Sequence, residues 1–155
     1  MMKKVLVAII VAIGLISCSD DSDIFESVDY AERDEQIIQD YFIANNIIDT
    51  IATPYGVYIE HLLEGTGDNP TINDSVTVNY SLYTIPDNNL IEASADPVTF
   101  KLSDLITGWQ IGIPHMSEGG EANLYIPSSY AYRGTYSPLA DDVLKFKITL
   151  VDIKE

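Results

Sequence analysis

The sequence predicts an α+β domain in which one antiparallel sheet is covered on one side by two helices. Three segments alternate apolar and polar residues with the period of a strand, namely 75–83, 121–126 and 143–153. A fourth segment, 32–46, repeats its apolar residues at helical spacing. A chain of 155 residues is about the size of one domain.

The first 17 residues have the pattern of a secretory signal peptide. Lys3 and Lys4 precede an apolar run over 5–16, which is shorter than a membrane-spanning helix requires. The run ends at Ile16, and the string Leu15-Ile16-Ser17-Cys18 resembles a bacterial lipobox. We therefore expect cleavage after Ser17 and lipidation of Cys18, which would anchor the protein to a membrane. The alternative is an ordinary signal peptide with an incidental cysteine.

Residues 18–30 form an acidic tether behind that cysteine, because Asp20, Asp21 and Asp23 follow it closely. The string resembles the acidic export tag of surface-displayed lipoproteins in some Gram-negative bacteria. The expected location is the bacterial cell envelope, lipid-anchored at the outer membrane and, if the string acts as an export tag, exposed on the surface. The alternative for the string is a solvated tether with no export role.

Residues 31–54 are expected to form an N-terminal helix and a connector. The apolar stripe of the helix 32–46 consists of Ile37, Ile38, Tyr41 and Phe42. Acidic residues occupy its first turn, where the helix dipole favours negative charge, and Asn45 with Asn46 marks its end. The connector runs from 47 to 54.

Residues 55–155 carry the sheet. Strands are expected at 56–63, 75–83, 98–102, 121–126 and 143–153, with turns at 65–68 and 86–89. The turn at 65–68 lacks the third glycine and the following helix of a phosphate-binding loop. A brief helix is expected over 103–109, with Ser103 or Asp104 as its N-cap.

Composition excludes several function classes. The chain has 8 Lys and Arg against 24 Asp and Glu, a net charge of −16, which argues against nucleic-acid binding. One cysteine and two histidines leave little material for a metal site, so no metal and no cofactor is expected. His61 and His115 are more typical of structural positions than of a general base. The class that remains needs a shaped apolar pocket and no reactive side chain.

Four motifs in the region 55–154 occur in the order found in one known family. They are VTVNY at 76–80, LITGWQIGIPHMSEGG at 105–120, LYIPSSYAY at 124–132 and LKFKITL at 144–150. The region resembles an FKBP-type peptidyl-prolyl cis-trans isomerase domain, and the preceding helix resembles the N-terminal extensions of its lipoprotein members. The resemblance implies a twisted antiparallel sheet wrapped around a short helix. It also implies that the substrates are proline-containing polypeptides.

The resemblance also implies an active site. Trp109 would be the floor on which a prolyl ring packs, and Tyr80, Tyr132 and Phe146 would be its aromatic walls. Ile106 would offer its backbone N–H to a substrate carbonyl, and the Tyr132 hydroxyl would be a second donor. The alternative for each side chain is ordinary core packing, since aromatic residues in strands usually face a core.

Further substrate contacts are implied at Leu105, Ile91, Glu92 and Val98. Leu105 would line the rim, whereas the other three depart from the family pattern. Ile91 and Glu92 stand where the family has Phe-Asp, and Val98 stands where a pocket phenylalanine is common. Leu82 also replaces a glycine.

These departures predict a weak isomerase. They leave open a catalytically weak or inactive lipoprotein that binds peptides or proteins. A third alternative is a structural subunit of a surface assembly that makes contact through the helix 32–46.

Overall fold

The computed structural model describes residues 29–154. The predicted signal peptide, Cys18 and nearly all of the acidic tether therefore lie outside the described residues. The helices and strands are α1 (Tyr30–Asn45), β1 (Ile51–Ala52), β2 (Tyr58–Leu63), β3 (Ser75–Ile85), β4 (Asn89–Ala93), β5 (Val98–Lys101), α2 (Thr107–Gly112), β6 (Glu121–Ile126) and β7 (Val143–Lys154). Short 3₁₀ turns occupy Leu102–Asp104, Ile113–His115 and Ser128–Tyr130.

The seven strands form one antiparallel sheet in the order β1-β2-β6-β7-β3-β4, with β5 paired to the other half of the β3 edge. Residues 75–78 of β3 pair with β5, and residues 81–84 pair with β4. Tyr80 lies between the two pairings, where its backbone N–H donates to Ser94 Oγ at 3.0 Å and its carbonyl accepts from Ser94 N at 2.9 Å. The expected α+β class and antiparallel sheet are confirmed.

The inner face of the sheet wraps around α2 and holds the main core. The alternating residues predicted to share a face of β7 are all buried there: Leu144, Phe146, Ile148 and Leu150. Two glycines let α2 lie directly on β6. A Cβ at Gly108 would come 2.3 Å from Ile126, and one at Gly112 would come 2.8 Å from Leu124.

The short helix begins later than predicted. Residues 102–104 form a 3₁₀ turn pinned by the buried side chain of Leu102, and α2 starts only at Thr107. Its N-cap position is Ile106, which makes no side-chain cap, so the predicted caps Ser103 and Asp104 are wrong. The sequence does not distinguish the 3₁₀ turn from α2 because neither segment is long enough for apolar residues to recur at a regular spacing.

α1 covers the outer face of the sheet, so the expectation of a sheet covered on one side only is wrong. Ile38, Tyr41 and Phe42 are buried against Tyr125 and Val143. Successive strand residues face opposite sides, so the neighbours of these two residues belong to the inner core while they themselves point to α1. The helix therefore buries its apolar stripe within its own chain, which removes that stripe as the contact surface of a structural subunit.

The helix starts two residues before the predicted boundary. Asp29 caps it by accepting from Ala31 N at 3.0 Å and Glu32 N at 3.4 Å. It ends, as predicted, at the asparagine pair, with Asn46 in the left-handed conformation at φ 54°. Between 29 and 154, no helix has the length and apolarity to cross a bilayer.

Candidate functional site

A pocket of about 180 Å³ opens on the inner side of the sheet, between α2 and the split edge of β3. It lies beside the point where β3 changes partner from β5 to β4. Nine residues line it: Tyr80, Leu82, Glu92, Phe100, Leu105, Ile106, Trp109, Tyr132 and Phe146. Most of the lining is aromatic or aliphatic, as in sites that bind an apolar ring.

Trp109 forms the floor of the pocket and is the centre of an aromatic cluster. Its ring meets those of Tyr80, Phe100 and Phe146 at centroid distances of 5.6, 6.2 and 5.2 Å, with interplanar angles of 81°, 88° and 90°. Edge-to-face pairs of this kind each contribute about 0.5–1.5 kcal/mol beyond area burial. The pocket floor is therefore held rigidly before any ligand enters.

Two tyrosine hydroxyls and one carboxylate provide the polar groups of the lining. Tyr80 Oη donates to Glu92 Oε1 at 2.6 Å, and this hydrogen bond, together with burial, raises the pKa of Tyr80 to about 12. Burial, and then the charge of Glu92, raises the pKa of Tyr132. Both hydroxyls therefore keep their protons at neutral pH. The Tyr132 hydroxyl has no hydrogen-bond partner among residues 29–154, so it is free to donate to a ligand.

The segment before α2 presents a free backbone donor. The Gln110 side chain donates to the carbonyls of Leu105 at 2.7 Å and Ser103 at 3.1 Å, which fixes the path of the chain there. The Ile106 N–H finds no acceptor within the described part of the chain. Trp109 Nε1 is likewise buried and without an acceptor there. Ile106 and Tyr132 thus offer two donors at a mainly apolar pocket.

The structure brings seven of the nine implied site residues into one pocket. The five implied catalytic positions, Tyr80, Ile106, Trp109, Tyr132 and Phe146, are all in the lining, and Leu105 and Glu92 join them.

Ile91 and Val98 do not line this pocket, and the substrate contacts implied for them stay a prediction. Ile91 is the unpaired residue of a β-bulge in β4, between Glu92, which lies opposite Leu82, and Leu90, which lies opposite Tyr83, and it is 47% exposed. Val98 is 38% exposed, and its short side chain ends at the edge of the sheet.

Two lining residues were missed as pocket residues. Phe100 lies two residues after Val98, on the same face of β5, and its ring reaches Trp109 and Tyr80. Leu82 is 3% exposed and shares the inner face of β3 with Tyr80. The alternation of side chains along a strand could have predicted both residues, since Leu82 lies two positions after Tyr80 in β3 and Phe100 lies two positions after Val98 in β5.

A sequence model of a known family matches residues 67–151, more than half of the chain, and describes the FKBP-type peptidyl-prolyl cis-trans isomerases. The chain belongs to this family. The match begins after α1, β1 and β2, so these elements of the FKBP-type chain lie outside the matched range.

Named relatives agree with the family. The chain is 43% identical over 84 residues to the probable FKBP-type peptidyl-prolyl cis-trans isomerase FkpA of Neisseria meningitidis, covering 52% of this chain and 30% of the relative. It is 33% identical over 106 residues to the peptidyl-prolyl cis-trans isomerase Mip of Coxiella burnetii, covering 64% and 46%. The chain therefore spans half or less of the length of these curated relatives.

Solved structures agree on the FKBP-like fold. FkpA from Escherichia coli matches with a TM-score of 0.69 at 27% identity, covering 80% of this chain and 61% of that one. A peptidyl-prolyl cis-trans isomerase from Pseudomonas syringae matches with a TM-score of 0.68 at 26% identity, covering 81% and 96%. A twisted antiparallel sheet around a short helix is thus the fold of this protein.

Proposed function

We propose that the protein catalyses the cis-trans isomerisation of X-Pro bonds in polypeptides outside the cytoplasm. The observation that carries the proposal is the aromatic pocket with Trp109 as its floor and two free donors at Ile106 N and Tyr132 Oη. Family membership and the names of the relatives support the same activity.

The pocket suits the physical demands of this reaction. Rotation about the peptide bond crosses a barrier of about 20 kcal/mol because the amide loses its resonance. The twisted amide has a less polar carbonyl than the planar one, so an apolar, water-poor pocket binds it better than the ground state. Binding the transition state more tightly than the substrate lowers the barrier without a covalent step.

Each lining group has a place in this scheme. The prolyl ring packs on Trp109 between Tyr80 and Phe146, which fixes one side of the rotating bond. The Ile106 N–H and the Tyr132 hydroxyl donate to the carbonyls that flank the proline, and they hold the other side. No step needs an acid or base, which is consistent with tyrosine hydroxyls whose raised pKa values keep them protonated.

A lipid anchor at Cys18 would hold this activity at the cell envelope. One relative, 31% identical over 111 residues, is the outer membrane protein MIP of Legionella longbeachae. The lipobox-like ending at Cys18 and the acidic tether behind it support an outer-membrane location for the present chain, with export to the surface through Asp20, Asp21 and Asp23.

A second function, peptide binding without turnover, is favoured by Glu92. Its carboxylate lies in the lining of a mainly apolar pocket, where it accepts from Tyr80 at 2.6 Å. The family has Asp here, so the charge is shared with the isomerases, and the difference is a side chain one methylene longer that takes up space in the pocket.

One assay separates the two functions. The full chain in mild detergent is added to a proline-containing peptide, and exchange between the cis and trans forms is followed by NMR. The isomerase proposal predicts that the wild-type chain makes exchange faster than the uncatalysed rate. With Trp109→Ala, exchange should be slower than with the wild-type chain. Peptide binding with no gain in exchange rate would establish the binding function instead.

A further inference from the structure

The loop from Pro127 to Asp142 carries Tyr132 and is held by α1 at both ends and near its middle. At its start, Asp34 of α1 is fully buried, and its Oδ2 accepts from Ser128 N at 2.8 Å and Ser128 Oγ at 2.6 Å. These bonds cap the 3₁₀ turn Ser128–Tyr130. The residue at the N-cap position of that turn is Pro127, which makes no side-chain cap. The cap therefore comes from α1.

Arg33 connects this buried carboxylate to the far end of the loop. Its Nε and Nη2 donate to Asp34 Oδ1 at 2.9 and 2.5 Å, and Nη2 also donates to the carbonyl of Asp141 at 2.5 Å. A buried carboxylate requires such pairing, since an unpaired buried charge strongly destabilises a fold. One guanidinium thus ties the two ends of the loop to the same turn of α1.

The third contact lies beside Tyr132 itself. The Arg133 guanidinium is 3.6 Å from the centre of the Tyr30 ring, and that of Arg33 is 4.5 Å from it. Arg133 N also donates to the carbonyl of Ser128 at 3.2 Å, which folds the segment back on the capped turn. The residue that follows the pocket wall is therefore clamped to the first turn of α1.

We infer that Asp34, supported by Arg33 and Tyr30, is a positioning residue that holds the Tyr132 hydroxyl in place for the prolyl substrate. This inference rests on the proposed isomerase function. The Asp34 carboxylate accepts hydrogen bonds from Arg33 and Ser128, neither of which lines the pocket, so it acts through Ser128 and the loop. Since α1 lies before the residues that the family model matches, these contacts belong to the N-terminal extension. They connect α1, the helix that follows the tether, to the pocket.

The test compares Asp34→Asn with Asp40→Asn in the full chain in mild detergent. Asp40 is a matched control because it is exposed on the same helix, where it accepts from Gln36 at 2.8 Å. Asp34→Asn is expected to lower kcat/KM on a proline-containing peptide on the order of tenfold to hundredfold, as small misplacements of positioning groups do. Asp40→Asn should leave it unchanged.

A milder pair of variants guards against simple unfolding. Ser128→Ala removes one of the two bonds to Asp34 and keeps the backbone bond, so we expect a smaller loss of kcat/KM. Ser128→Thr keeps the hydroxyl and is expected to restore most of it. Equal rates in Ser128→Ala and Ser128→Thr would contradict a role for this bond.

The decisive measurement is a double-mutant cycle with Tyr132→Phe. If Asp34 acts by placing the Tyr132 hydroxyl, Asp34→Asn costs much less once that hydroxyl is gone. If Asp34→Asn lowers kcat/KM by the same factor in the wild-type chain and in Tyr132→Phe, the inference is overturned and Asp34 only stabilises the fold.

Hydrogen exchange keeps the inference separate from the proposed function. Amides of residues 128–142 should exchange faster in Asp34→Asn, while those of β3 and β7 keep their protection. A wild-type chain with no isomerase rate would end the proposed function and, with it, the catalytic role of Asp34. Unchanged exchange in the loop, with an active wild-type chain, would overturn the positioning role alone.

Discussion

The hydroxyl of Tyr80 donates a 2.6 Å hydrogen bond to the carboxylate of Glu92, and this bond joins β3 to β4 at the pocket. Glu92 lies opposite Leu82 in the sheet, two residues beyond Tyr80, so the bond runs diagonally across the strand pair. It orients the Tyr80 ring, which packs edge-on against Trp109. The carboxylate therefore fixes one aromatic wall of the site.

Because of this bond, the Tyr80 hydroxyl loses its proton at a higher pH than an ordinary tyrosine does. The ordinary tyrosine value is 10.0, and the bond to Glu92, together with burial and the charge of Glu92, raises the pKa of Tyr80 to about 12. Glu92→Gln removes the charge, so the pKa of Tyr80 should fall back towards its ordinary value. The ultraviolet absorbance of the phenolate, measured as the difference between each protein and its Tyr80→Phe variant, reports this titration.

The same shift predicts how stability depends on alkaline pH. Because the folded-state pKa lies above the unfolded one, the contribution of Tyr80 to folding is complete below pH 10 and is lost as the pH rises towards 12. Tyr80→Phe should lose less stability over that window. Glu32→Gln, an exposed change on α1, is the control. A Tyr80 titration that is unaffected by Glu92→Gln would contradict the bond.

Trp109 should carry both stability and activity. It is 4% exposed and touches three other rings, so Trp109→Ala is expected to cost about 3–5 kcal/mol in the free energy of unfolding. Trp109→Phe keeps a ring on the pocket floor and should cost less. We expect kcat/KM on a proline-containing peptide to fall about tenfold or more in Trp109→Ala and less in Trp109→Phe.

Thermal unfolding monitored alongside the rate separates the two effects. Both variants are assayed at a temperature where each is fully folded. A folded Trp109→Ala protein with the wild-type rate would show that the prolyl ring does not pack on this residue.

Much of the fold follows from period alone. The alternation in β6 and β7 predicts their bounds closely. Each strand turns one face to the inner core, and a shift of the strand by one residue would move its apolar side chains to the opposite face. β4 escaped prediction since all of its residues are exposed, so no apolar alternation marks it. The second core under α1 also escaped prediction, because Tyr125 and Val143 alternate with residues of the inner core and no apolar period marks their own face.

The site was less accessible to sequence reasoning. Resemblance to the family supplied the residues of the lining, and the structure adds Phe100 and Leu82 and removes Ile91 and Val98. Asp34 shows the limit best. A helix that starts at residue 32 would place Asp34 in its first turn, where the helix dipole favours acids, but α1 starts at Tyr30 and the Asp34 carboxylate is buried against Ser128, 94 positions later in the chain. A contact over that separation leaves no local pattern.

Leu82 should restrict the size of the ring that the pocket accepts. It is buried, lines the pocket and replaces the glycine common in the family, so it fills space that a glycine would leave open. Leu82→Ala should therefore favour a peptide containing pipecolic acid, whose ring has an additional methylene group, over its prolyl counterpart. One methylene in an apolar pocket changes selectivity by about 10–200-fold, which sets the upper range of the shift.

Leu150→Ala is the matched control for this selectivity. Leu150 is fully buried in the same core but does not line the pocket. Both variants should lose about 2–5 kcal/mol in the free energy of unfolding. Only Leu82→Ala should change the ratio of kcat/KM for the two peptides. The same ratio in wild type, Leu82→Ala and Leu150→Ala would show that Leu82 does not set ring size.

Cys18 should decide whether the protein stays with the membrane. It is the single cysteine in the sequence, and only Ser17 separates it from the apolar run. Acyl chains supply membrane affinity of about 0.8 kcal/mol per buried methylene group, so a chain that loses them should leave the bilayer. Cys18→Ala is therefore expected to abolish incorporation of labelled fatty acid and to move the protein out of the membrane fraction. Ser19→Ala, one residue away, should keep both properties. Undiminished labelling of Cys18→Ala would rule out the lipid anchor at this position.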